Sequence, residues 1–60
     1  MRTFDSVLSD LVAVAAYAQL LGRPRRVLRL PYDIEPQRAE FLAWLKMHPL
    51  PDALRGVRIE

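Results

Sequence analysis

Val7-Leu8-Ser9-Asp10-Leu11-Val12-Ala13-Val14-Ala15-Ala16-Tyr17-Ala18-Gln19-Leu20-Leu21, followed at once by Gly22-Arg23-Pro24-Arg25-Arg26, is the stretch that decides the fold. Phe4, Val7, Leu8, Leu11, Val14, Ala15, Ala18 and Leu21 recur at helical spacing and form one face. The opposite face is hardly more polar, because Val12, Ala13, Ala16, Tyr17 and Leu20 fill most of it. A helix that is apolar nearly all round has to be covered. Thr3 or Asp5 supplies its N-terminal cap. Gly22 ends it by adopting a left-handed conformation, and Pro24 blocks its continuation.

Beyond Gly22, Arg26, Leu28 and Leu30 alternate with Arg25, Val27 and Arg29 until Pro31, which predicts a short strand over Val27–Leu30. A second helix is expected from Ile34 or Glu35 to Met47, with Asp33 as cap and Pro36 in the first turn. Its buried stripe is Ile34, Phe41, Leu42 and Leu45, with Trp44 beside it. Pro49 stops that helix at His48. Asp52–Arg55 has the makings of one helical turn, and Val57–Ile59 of an edge strand. The expected organisation is one small domain over residues 1–60. It divides into a helix at about 4–21, a basic turn and short strand at 22–31, a helix at about 34–47, and a proline-rich turn and tail at 48–60. The expected class is α+β in the order α-β-α-β, dominated by its two helices, with one or two very short strands that dimerisation could complete. An all-α structure is the alternative.

Size limits what this chain can cover. Helix 1 spans about 24 Å at 1.5 Å per residue. A compact 60-residue domain has a radius of gyration of only about 10 Å. Leaving three aliphatic side chains wet forfeits about 5 kcal/mol, comparable to the whole stability of such a domain. The Val12-Ala16-Leu20 side of helix 1 is therefore expected to associate with a second copy or a partner. The bland alternative is a self-sufficient monomer with longer helices. No cysteine is present to staple the fold or ligate metal, a usage that fits a reducing cytoplasm. The uninterrupted apolar run, Leu11–Ala18, is far shorter than the roughly 20 residues of a membrane span, so no membrane partner is expected. The segment before it is acidic where a signal peptide is basic.

Residues 11–32 hold Arg23, Arg25, Arg26 and Arg29 and no acid. Arginine forks bind phosphate and carboxylate bidentately. With Tyr32, they are the candidate partner-binding residues, for an acidic or nucleic-acid-binding surface of a protein target or for nucleic acid itself. Plain solubility is the competing explanation, and a bias of eight Arg to one Lys fits it. Ala15 to Arg26 resembles the second helix and turn of a bacterial helix-turn-helix, yet Pro31 cuts off what would be the groove-reading helix. His48 is the single histidine, at a helix C-terminus, and with Asp52 makes no recognisable metal site. There is no phosphate loop and no nucleophile constellation. No enzyme, cofactor or metal is expected. The reading is a small binding protein acting stoichiometrically as a regulator or inhibitor of a larger protein or nucleoprotein complex, of the kind phages and mobile elements encode. Homo-oligomerisation is expected, and the alternative is a small DNA- or RNA-binding regulator using Arg23–Arg29.

Overall fold

A computed structural model describes residues 2–60. Helix α1 runs Phe4–Leu20, where Thr3 Oγ1 accepts a hydrogen bond from the Ser6 amide at 3.1 Å. Thr3 is therefore the cap, and Asp5 sits in the first turn, where its charge suits the helix dipole. The far end is closed by backbone alone. The Gly22 amide donates to Gln19 O and the Arg23 amide reaches back to Ala18 O, both at 3.0 Å. This pattern needs a left-handed residue at Gly22, whose φ is 71°.

Strand β1 is Val27–Leu28, shorter than expected, and β2 is Arg58–Ile59. They pair in parallel, with Val27 opposite Arg58 and Leu28 opposite Ile59. Arg58 N to Arg26 O (2.7 Å), Glu60 N to Leu28 O (2.9 Å) and Leu30 N to Glu60 O (2.8 Å) secure the pairing. The chain between them forms the connection a parallel pair requires, so the fold is a small α+β domain with a β-α-β unit laid against α1.

The second helix starts differently from the expectation. Tyr32–Gln37 is a 3₁₀ helix, and the α-helical segment α2 spans only Arg38–Lys46. Pro36 explains the change: it has no N–H to donate, and its ring crowds the carbonyl four residues back. The tighter geometry persists until the proline is passed. Asp33 makes no capping bond, and its carboxylate instead takes Arg2 at 3.4 Å. Arg2 also pairs with Asp10, tying α1 to the start of the 3₁₀ segment.

The core comprises Val7, Leu11, Ala15, Leu28, Leu30, Ile34, Phe41 and Leu54. Phe4, Phe41 and Trp44 form an aromatic cluster that seats the start of α1 on α2, with centroids 5.4–5.7 Å apart. The 3₁₀ turn Asp52–Leu54, whose Leu54 is 0% exposed, packs on α1, and Gln19 Nε2 near the end of that helix donates to Ala53 O at 3.4 Å. Leu42 and Leu45, expected in the stripe, are half-buried on the rim of this core.

Candidate functional site

The arginine segment leaves α1 through the Gly22 turn and runs into β1. Its four arginines do not all border the same groove. Arg23 and Arg25 border a groove of about 590 Å³ whose floor is Ala13, Val14, Tyr17, Ala18 and Leu21 of α1 and its C-terminal turn. Arg29 lies outside, because strand alternation buries Leu28 and Leu30 and leaves Val27 and Arg29 exposed. With Tyr32 it lines a cleft of about 450 Å³ completed by Leu30, Glu35, Arg38 and Glu60. Arg26 is exposed and lines neither.

The two sites differ in charge. In the Tyr32 cleft, Glu35 and Glu60 offset Arg29 and Arg38. In the α1 groove, nothing offsets Arg23 and Arg25. Among the described residues, Arg23, Arg25, Arg26 and Arg29 make no ion pair. Tyr32 is 96% exposed, a large side chain without intramolecular support.

On α1 the open apolar surface is only partly where the sequence places it. Of Val12, Ala16 and Leu20, Val12 packs half-buried against the core and Ala16 is half-buried. Leu20 stands free at 85% exposure. Val14 and Leu21, expected on the core face, are exposed together with Tyr17 at 65%. The cause is geometric. Core partners gather around Val7, Leu11, Ala15 and Ala18, and the rest of the chain is too short to wrap further round the last two turns. Asp10, Val14, Tyr17 and Leu21 recur at intervals of four, three and four, the spacing of a helix-packing seam. That spacing was the available signal for this second face. Arg38 has no such signal, since only the tertiary fold brings it to Tyr32.

His48 stacks on Trp44 with centroids 3.9 Å apart, and its Nδ1 lies 2.9 Å from Trp44 O. It closes the end of α2. Among the described residues no group of acidic, histidine or cysteine side chains could hold a metal, and no helix is long and apolar enough to cross a membrane. No known protein family, curated protein or solved structure matches the chain.

Proposed function

We propose that this chain is a small non-enzymatic binding protein. It acts stoichiometrically as a regulator or inhibitor of a larger protein or nucleoprotein complex in the cytoplasm, as small phage and mobile-element proteins do. The observation that carries the reading is Tyr32, 96% exposed beside Arg29 and Arg38. Tyrosine and arginine dominate the energetics of protein interfaces. A two-torsion aromatic ring contributes contact area at little conformational cost. The nearly neutral cleft around it suits a protein surface with charges of both signs better than a polyanion.

The test is capture of the tagged chain's partners from its native lysate, with and without nuclease, beside a Tyr32→Ala/Arg29→Ala variant. The expected result is one defined protein that survives nuclease and is lost with the variant. Retention of nucleic acid alone overturns the reading.

A second reading has its own support. Arg23, Arg25 and Arg26 are exposed and close in sequence, and among the described residues they make no ion pair, which leaves them available to phosphate. A DNA- or RNA-binding regulator built on them loses affinity linearly in log salt, with a slope near one per phosphate contact. A Tyr32-anchored protein interface weakens far less.

A further inference from the structure

We infer that the exposed face of α1 is a homodimer interface, in which α1 packs antiparallel against α1 of a second copy. The apolar seam Val14, Tyr17 and Leu21, flanked by Leu20, lies roughly 80° round the helix from the core face at 100° per residue. Among the described residues, four of the eight exposed large apolar side chains stand on the last two turns of α1 and its C-cap.

Area supports an absent cover. A folded chain of 6.9 kDa exposes about 4,000 Å². This chain exposes 4705 Å², an excess of roughly 700 Å². One partner's share of a standard protein interface is about 800 Å².

Charge selects the occupant and its direction. Helix α1 contains Asp5 and Asp10 and no Lys or Arg between Phe4 and Leu20. Asp10 continues the seam toward the N-terminus, and its side chain is 60% exposed while it holds Arg2. Arg2, Asp10 and Asp33 together carry one net negative charge. The other end of the seam is flanked by Arg23 and Arg25 without an acid. Antiparallel packing lays the Asp10 end of each copy against the Arg23–Arg25 end of the other, and it opposes the helix dipoles. Parallel packing would set arginines against arginines and Asp10 against Asp10. The chain's own α1 is thus an apolar, acidic helix of the kind that its groove and arginine rim fit. This contact uses a different face from Tyr32 and stands or falls independently of the target reading.

Sedimentation equilibrium on the purified chain tests it, with circular dichroism confirming that each variant folds. The wild type should weigh twice 6.9 kDa, and Tyr17→Glu and Leu20→Glu, both at exposed positions, should each weigh 6.9 kDa. Asp10→Arg alone and Arg23→Asp/Arg25→Asp alone should each weaken the dimer about tenfold or more. All three changes in one chain should restore it. In a parallel dimer, each reversal would merely exchange one like-charge pairing for another and leave affinity unchanged. A wild type that stays monomeric, a dimer indifferent to Tyr17→Glu and Leu20→Glu, or charge reversals without effect overturns the inference.

Discussion

Replacing Leu54 with alanine removes a side chain that is 0% exposed and belongs to the 3₁₀ turn packed on α1. Leu50, four residues earlier, has the same chemistry and is 48% exposed. Burial is therefore the variable that separates the two. A core Leu→Ala change costs about 2–5 kcal/mol. A 60-residue domain has about 3–9 kcal/mol in total. At this size each kcal/mol moves the midpoint by about 8 °C. Leu54→Ala should lower Tm by about 16 °C or more, or leave the chain unfolded at room temperature. Leu50→Ala should lower it by only about 4 °C or less. Thermal melts followed by circular dichroism and by fluorescence of Trp44, the single tryptophan, read both changes. Chain concentration is held fixed, because association moves Tm. Equal small shifts for the two variants would refute the placement of the 52–54 turn over α1.

Substitutions at two further positions probe the ends of α1. Gly22→Ala should destabilise by about 1–2 kcal/mol, because alanine is strained at φ 71° although its Cβ would meet nothing within 4 Å. Gly22→Asn should recover much of that loss in urea unfolding, since asparagine tolerates the left-handed region. Thr3→Ala should cost about 1 kcal/mol through the lost bond to the Ser6 amide, and Thr3→Asp should retain it, both read as shifts in the urea midpoint.

Local signals in the sequence carried much of this fold. The helix from Phe4 onward, its stop at Gly22, the strand before Pro31 and the turn at Asp52 all follow from residues adjacent in the chain. Pro36 was legible as a residue of the first turn, but its power to hold Tyr32–Gln37 in a 3₁₀ helix depends on crowding at the carbonyl of Tyr32. Leu54 gave little sign of its importance, because Leu50, Ala53 and Leu54 around the last prolines show no sustained periodicity and only the return of the chain onto α1 buries Leu54. The surplus of apolar surface on α1 was legible as a problem of size. Its position was not, since Val14 and Leu21 share the core's periodicity and lose their cover only because the rest of the chain turns away. The arginines read as one cluster along the chain. In the fold Arg23 and Arg25 border the α1 groove, and Arg29 borders the Tyr32 cleft.

The central claim is that this chain works by stoichiometric contact with another protein. Native mass spectrometry of the complex retained by the tagged chain after nuclease treatment tests it most directly. The expected result is one defined protein target carrying this chain in a fixed ratio. Recovery of the chain alone, or only of nucleic acid that nuclease removes, would contradict it.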